Sequence, residues 1–139
     1  MNTPQVIDLN ESIRQTAEMA QTQFHPNGIQ LDLRLSEKSP HVMADPATLT
    51  QALLNLVADA IEAISSVGSE GTIRITSAVI HNHVLVAVID DAPMANIDDH
   101  CRITSCRTMI REIGGDVWVS RGEASGTTFI IDLPSASVH

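Results

Sequence analysis

Apolar residues recur at helical spacing from Asp45 to Val67, and this stretch predicts the central helix of the fold. Asp45 is a residue type that caps helix N-termini, and Pro46 suits the first helical position because an N–H is not needed there. A stripe this broad is typical of a helix that packs against the core of a small domain. The stripe consists of Leu49, Ala52, Leu53, Leu56, Val57, Ala60, Ile61 and Ile64.

Two more helices and several strands flank this helix in the pattern. Asp8 with Glu11 three positions later has the form of a capping box, and the Pro-Asn-Gly run at residues 26–28 ends the helix that follows. Residues 1–6 are expected to be a frayed lead-in. The other predicted elements are strands over residues 29–35, 41–44, 72–80, 83–89, 116–120 and 127–133, and a third helix that starts near Asp99 and ends at Gly114-Gly115.

The apolar positions within these elements predict the core. Cys106 falls in the stripe of the third helix, so we interpret it as a small buried residue. The first helix contributes Leu9, Ile13, Ala17, Ala20 and Phe24, the hairpin arms contribute Ile73, Ile75, Ala78, Ile80, Val84, Val86 and Val88, and the third helix contributes Ile103, Cys106, Ile110 and Ile113.

The order of elements predicts an α/β (α+β) two-layer sandwich. Three helices are expected on one face of a mixed, mainly antiparallel sheet. A chain of 139 residues with 43% hydrophobic content can build one such core, so we expect a single domain over residues 1–139 with its core at about residues 8–134.

Composition excludes several classes of partner. The net charge of -9 argues against nucleic acid and against contact with an anionic membrane, and 2% aromatic content leaves few platforms for base stacking. We find no apolar run of membrane-spanning length and no signal-peptide pattern. Two cysteines five positions apart do not favour a disulfide, which predicts a reduced cytoplasmic protein.

Two small groups of potential metal ligands are present, and the sequence favours a structural interpretation of both. His81 and His83 flank a turn and are expected to be solvated. His100, Cys101 and Cys106 lack a paired ligand motif, so a metal site there is not favoured.

The helix from Asp45 onward resembles the N-box helix of the histidine-kinase-type ATPase domain of the GHKL superfamily. The family pattern is D-P-x-x-L-x-Q-x-L-x-N-L-x-x-N-A-x-E-A, and Asn55 matches its first asparagine. The second asparagine, which in the family helps to hold the magnesium of the nucleotide, is Asp59 here. The resemblance implies the Bergerat-type ATPase fold, in which the nucleotide lies between the helices and a lid loop.

Residues 88–94, Val-Ile-Asp-Asp-Ala-Pro-Met, resemble the G1 box of the family, V-x-D-N-G-P-G. Asp90 stands where the family has the aspartate that recognises adenine, and Pro93 matches. Ala92 and Met94 replace both glycines, which elsewhere let the backbone approach the nucleotide. Met94 could fill the space of the nucleotide.

The lid of the family has no counterpart in this sequence. Residues 95–99 alone join the G1-like segment to the next helix, and there is no glycine between Gly71 and Gly114. Asp98 and Asp99 place negative charge at the helix N-terminus, where they satisfy the dipole and would repel a triphosphate.

The match returns downstream and covers the chain from Asp8 to Pro134. Residues 113–119 resemble H-G-G-x-I-x-V, and residues 126–134 resemble G-T-x-F-x-x-x-L-P. In the family a threonine of this ending lies beside adenine, which makes Thr128 or Thr127 a candidate contact; a plain hairpin and strand is the alternative. The phosphoacceptor hairpin is missing, so the sequence is compatible with a fragment of a longer protein or with a free-standing domain.

Two hypotheses of function follow from the resemblance. The first is a degenerate, non-enzymatic domain with no cofactor, which binds a kinase dimerisation domain or a response-regulator receiver and forms a homodimer through helices upstream of this chain. The second is an active protein-histidine kinase domain that binds Mg-ATP, with Asp59 on the metal, Asp90 on adenine, and Arg102 or Arg107 near the phosphates. A regulator resembling anti-sigma factors is a third possibility. No catalytic residue is predicted, and the remnant nucleotide site comprises Asn55, Asp59, Asp90, Ala92, Met94 and Thr128.

Overall fold

The structure is a computed structural model that describes residues 4–24, 28–38, 40–66, 70–93, 99–121 and 125–136. In this part of the chain, three helices and seven strands follow one another. They are β1 (Gln5–Asp8), α1 (Leu9–Phe24), β2 (Ile29–Arg34), β3 (His41–Ala44), α2 (Pro46–Ser66), β4 (Gly71–Ile80), β5 (His83–Pro93), α3 (Asp99–Glu112), β6 (Asp116–Arg121) and β7 (Ser125–Pro134).

Five strands form the main sheet in the order β2-β4-β5-β7-β6. β2 runs parallel to β4, and each of the other neighbouring pairs is antiparallel. All three helices contribute buried side chains to one core with the sheet. The predicted fold class, three helices on a mixed and mainly antiparallel sheet, is confirmed.

The N-terminal segment differs from the expectation. Residues 1–6 were expected to be frayed, but β1 pairs antiparallel with β3, from Gln5 opposite Ala44 to Asp8 opposite His41. β3 is not a member of the main sheet, so β1 supplies the partner for its backbone hydrogen bonds. The prediction of a frayed lead-in is therefore wrong for residues 5 and 6.

α2 begins where the sequence predicts. The Thr48 amide donates to Asp45 Oδ2 at 3.0 Å and the Thr48 hydroxyl donates to the same oxygen at 2.7 Å, so Asp45 caps the helix. The whole predicted apolar stripe is buried. Contrary to expectation, residues 46–65 are long and apolar enough to cross a membrane. The stripe instead packs in the core, as in the central helix of a globular domain.

α1 is capped by Asp8, whose Oδ1 accepts a hydrogen bond from the Asn10 amide at 2.9 Å. Glu11 accepts a hydrogen bond from Arg14 at 2.5 Å. Leu9, Ile13 and Ala20 are buried as predicted, whereas the side chain of Phe24 lies outside the described residues.

The hairpin of β4 and β5 confirms the predicted turn but corrects one face. Ala78 and Ile80 were expected to face the core, yet Ser77 is buried and Ile80 is 49% exposed. The alternation of β4 continues without a bulge, so Ser77 follows Ile73 and Ile75 on the inner face. Burial of Ser77 is possible because its hydroxyl donates to Asn10 Oδ1 at 2.7 Å and accepts from the Ser36 amide at 2.8 Å.

α3 ends in a Schellman motif at the predicted glycines. The Gly115 amide donates to Ile110 O at 3.0 Å, and the Gly114 amide donates to Arg111 O at 3.1 Å. Gly114 adopts a φ of 90°, which favours glycine. Cys106 and Ile110 are fully buried, as predicted, and the side chain of Ile103 is outside the described residues.

Candidate functional site

The polar face of α2 carries the first candidate residues. Asn55 and Asp59 lie one turn apart and are half-buried, and Glu62 is exposed. The Gln51 amide donates to Asn55 Oδ1 at 3.0 Å, which fixes the Asn55 side chain along the helix. An amide and a carboxylate therefore lie together on one face of the central helix.

Asp59 lies near the third helix, as the electrostatics of Cys106 indicate. Burial, and to a smaller extent the negative charge of Asp59, together raise the pKa of the Cys106 thiol to about 12. Cys106 itself faces α2, since its Sγ lies 3.8 Å from Ala52 O. The negative charge of the Asp59 carboxylate therefore affects groups that lie between α2 and α3.

Asp90 is the most deeply placed charged residue of the candidate site. It lies near the end of β5, is 3% exposed, and is paired between Ile73 on β4 and Thr127 on β7. A carboxylate buried to this degree is rarely tolerated without polar partners. Its position near the end of a core strand suits a carboxylate that binds a polar ligand.

Gly126 shapes the backbone next to Asp90. Its φ is 89°, and a Cβ at this position would lie 2.8 Å from Asp90 O. Only glycine allows this close approach of β7 to β5 without strain.

The two candidate threonines lie on opposite faces of the sheet. Thr127 is directly opposite Asp90, on the face that buries Phe129 and Ile131. Thr128 is paired with Ile89 on one side and Ser120 on the other, on the outer face. The geometry therefore brings Thr127, not Thr128, to the face that carries Asp90.

Arg107 points toward β6. Its Nε and Nη2 donate to Val117 O at 3.2 and 2.6 Å, and its Nε lies 3.2 Å from Asp116 Oδ1. Asp116 also forms an ion pair with Arg111. The pKa of the Asp116 carboxyl is lowered chiefly by the hydrogen bond that it accepts from the Val117 amide, and also by the two arginines. The guanidinium of Arg107 is thus engaged in holding α3 to β6.

Asp91 has a role that the sequence analysis missed. Its Oδ1 accepts a hydrogen bond from the Thr72 amide at 2.9 Å and so ties the end of β5 to the start of β4. The signal in the sequence was the adjacent Asp90-Asp91 pair. Successive side chains of a strand lie on opposite faces of the sheet, so the two carboxylates are expected to have different partners.

Among the described residues, no group of three or more His, Cys, Asp and Glu side chains is placed to hold a metal ion. His83 Nδ1 lies 2.7 Å from Asp132 Oδ1, in a pair that bridges β5 and β7. The side chains of His100 and Cys101 lie outside the described residues.

Comparison with known proteins identifies the family. Residues 44–137 match the sequence profile of the histidine kinase-, DNA gyrase B-, and HSP90-like ATPases. The chain belongs to this family. Its relatives include the sensor histidine kinases ZraS of Escherichia coli K12, 28% identical over 94% of this chain, and TmoS of Ectopseudomonas mendocina, 22% identical over 92%. The chain spans about a third of ZraS and less of TmoS, at 31% and 15% of their lengths.

Solved structures of this ATPase family share the fold. The catalytic domain of histidine kinase ThkA superposes with a TM-score of 0.82 at 27% identity, over 95% of both chains. Full-length ShkA in complex with AMPPNP superposes with a TM-score of 0.83 at 24% identity, over 99% of this chain and 32% of that one. The resemblance to the histidine-kinase-type ATPase domain is confirmed.

The residues that the resemblance assigns to the two parts of the family's ATPase site differ in how far the structure describes them. At the position that the resemblance assigns to adenine recognition, Asp90 is buried and Gly126 lies against its backbone. Where the resemblance places the lid, β5 ends at Pro93 and α3 begins at Asp99, so five residues join them. Met94 and Asp98 lie in that join, outside the described residues, and the side chains of Ala92 and Arg102 are likewise not described.

Proposed function

We propose that this chain is a histidine-kinase-type ATPase domain that has lost productive binding of Mg-ATP and acts through protein partners in the cytoplasm. The observation that carries the proposal is the five-residue join between β5 and α3, which contains no glycine. Phosphates are bound by glycine-rich loops and helix N-termini because their N–H groups can converge on the oxygens. A five-residue join without glycine supplies few N–H groups that could converge on phosphate oxygens.

Charge in the site supports the same conclusion. Asp59 replaces the asparagine of the family with a carboxylate, Asp98 directly precedes α3, and Asp99 is the first residue of α3. Each acidic group raises the energy of a triphosphate placed between α2 and α3, and the low dielectric of a partly buried cleft strengthens the repulsion. A magnesium ion would have to offset all of them.

The placement of Arg107 removes one compensating group. An active site without the lid would need cations near the phosphates, because charge-assisted hydrogen bonds would have to replace the lost N–H donors. Arg107 instead donates to Val117 O and pairs with Asp116. Moving it to a phosphate would take away the Arg107 hydrogen bonds to Val117 O and one of the two arginines that pair with Asp116.

The preserved core supports a role in protein interaction. α2 and the main sheet share one hydrophobic core, and α1 and α2 are both capped, all by side chains of this chain. ThkA has been crystallised in complex with the response regulator protein TrrA, which is a precedent in a protein of the same fold. The partners proposed here are a kinase dimerisation domain or a response-regulator receiver, with dimerisation supplied by helices outside this chain.

An active Mg-ATP domain is the second candidate function. The observation that favours it is Asp90, which is 3% exposed at the position where the family recognises adenine. In that case Asp59 would supply a carboxylate oxygen to the magnesium ion, a ligand type that this ion prefers. It would be a protein-histidine kinase only together with a phosphoacceptor domain.

Thermal unfolding in the presence of nucleotide separates the two functions. A ligand at a hundred times its Kd stabilises the folded state by about 2.7 kcal/mol, which raises the melting temperature by several degrees. We expect millimolar Mg-ATP to leave the melting temperature of this chain unchanged, while ShkA, which has been crystallised in complex with AMPPNP, serves as the comparison protein. A rise in this chain that Asp90→Asn abolishes would establish the active site instead.

A further inference from the structure

A groove lies between α1 and the free edge of the main sheet, on an element that takes no part in the candidate nucleotide site. It encloses about 740 Å³. Ala17 from α1 and Ile29 and Leu31 from β2 line it with apolar surface. Glu18 on α1 and Glu70 before β4 also line it, and both are exposed.

β2 presents an unfilled sheet edge to this groove. Within the described part of the chain, its strand partner is β4 on one side, and the row of backbone groups on the other side faces no strand. Such an edge accepts a further strand unless it is covered or carries charged residues that prevent pairing. The edge of β2 is therefore a template for an extended segment.

Only the second half of β2 carries the charges that normally block an edge. Asp32 pairs with Arg34 at 3.1 Å and with Arg74 at 3.0 Å, and these pairs lower the pKa of its carboxyl. The first half, over Ile29, Gln30 and Leu31, carries no charged side chain. This uncharged half is the part that opens onto the groove.

The charge of the groove favours a ligand of positive charge. Among the described residues, Glu18 and Glu70 are the ionisable side chains that line it, and neither Lys nor Arg does. Glu70 is held close to the start of β2, since its Cγ lies 3.1 Å from where a Cβ on Gly28 would be. A lysine or arginine could lay its aliphatic stem on Ala17 and Leu31 while its charged head reaches the two carboxylates.

We propose that an extended basic segment of a partner protein binds here by adding a strand to the edge of β2. Main-chain hydrogen bonds to β2 supply a sequence-independent part of the affinity, and alternate Lys or Arg side chains that enter the groove supply specificity. This binding does not involve α2, α3 or β5, so it holds whether or not nucleotide binds.

Fluorescence anisotropy with a labelled peptide Arg-Thr-Arg-Thr-Arg-Thr-Arg tests the proposal. We expect saturable binding that weakens as salt is raised, and no binding of the matched peptide in which Glu replaces every Arg. The double variant Glu18→Gln/Glu70→Gln should weaken binding roughly three- to tenfold, about the contribution of two exposed ion pairs. Glu112→Gln, an exposed acid on α3, is the matched control and should leave the affinity unchanged.

Backbone methylation distinguishes strand addition from simple charge attraction. In an added strand the N–H groups of alternate residues point to β2 and the others point to solvent. Two peptides, methylated at all Arg amides or at all Thr amides, should therefore differ at least tenfold in affinity. Equal affinities of these two peptides, equal binding of the Glu peptide, or an unchanged affinity in the double variant would each overturn the proposal.

Discussion

The buried thiol of Cys106 makes the stability of this domain depend on pH in the alkaline range. Burial against α2, together with the charge of Asp59, raises the thiol pKa from 9.0 to about 12 in the folded state. A group whose pKa is raised by folding contributes its full stability below the unfolded pKa and loses it as pH approaches the folded value. The free energy of unfolding should therefore fall between pH 9 and pH 12.

The size of the effect follows from the two pKa values. Between pH 8 and pH 10 the unfolded thiol ionises and the folded thiol does not, which costs about 1.4 kcal/mol of stability. The chain suits this measurement because it contains no tyrosine and its one lysine is Lys38. Few other side chains change protonation in the same range.

Urea denaturation at pH 8 and pH 10 measures the effect. Trp118 is the sole tryptophan and reports unfolding by fluorescence. The variant Cys106→Ala removes the ionisation, so the difference between wild type and variant should shrink by about 1.4 kcal/mol on going to pH 10. A difference that stays constant with pH would refute the buried, neutral thiol and the packing of α3 on α2 that produces it.

Two further predictions concern residues that fix the backbone. Ser77→Ala should lower the free energy of unfolding, measured by urea denaturation, by about 2–4 kcal/mol, because it leaves Asn10 Oδ1 and the Ser36 amide without their hydrogen-bond partner. A loss no greater than that in Thr76→Ala, at the neighbouring outward position, would contradict the inner position of Ser77. Gly126→Ala should lower the free energy of unfolding by about 1 kcal/mol or more beyond the loss in Gly114→Ala. Both glycines have φ near 90°, but only at Gly126 would the added Cβ meet a backbone oxygen, at 2.8 Å. Equal losses in these two variants, measured in the same way, would show that β7 and Asp90 are not so close.

The long-period patterns of the sequence predicted the fold well. The stripe of α2, the cap at Asp45 and the stop at Gly114-Gly115 depend on local chemistry, so each appears where the pattern places it. β1 was missed because its pairing with β3 is a tertiary contact between short segments with little pattern of their own. Ser77 was missed because a polar residue is buried only when its partners, here from α1 and the loop after β2, meet it in space.

The candidate site was predicted residue by residue only where a motif fixed the position. Asp59 lies on the helix that the resemblance assigned to it, whereas Asp90, expected after the strand over residues 83–89, lies within β5. The choice between Thr127 and Thr128 needed the register of β5 and β7, which the sequence does not specify. The engagement of Arg107 with β6 was likewise invisible, because its acceptor is a backbone carbonyl ten residues away.

Isothermal titration of Mg-ATP into this chain measures whether the domain has lost nucleotide binding. We expect no saturable heat at millimolar nucleotide. A chimera with Asp59→Asn, in which the corresponding segment of ShkA replaces residues 94–98, should gain measurable binding, because ShkA has been crystallised in complex with AMPPNP. A single-site isotherm with micromolar Kd for the unmodified chain, dependent on magnesium, would contradict the loss of the nucleotide site.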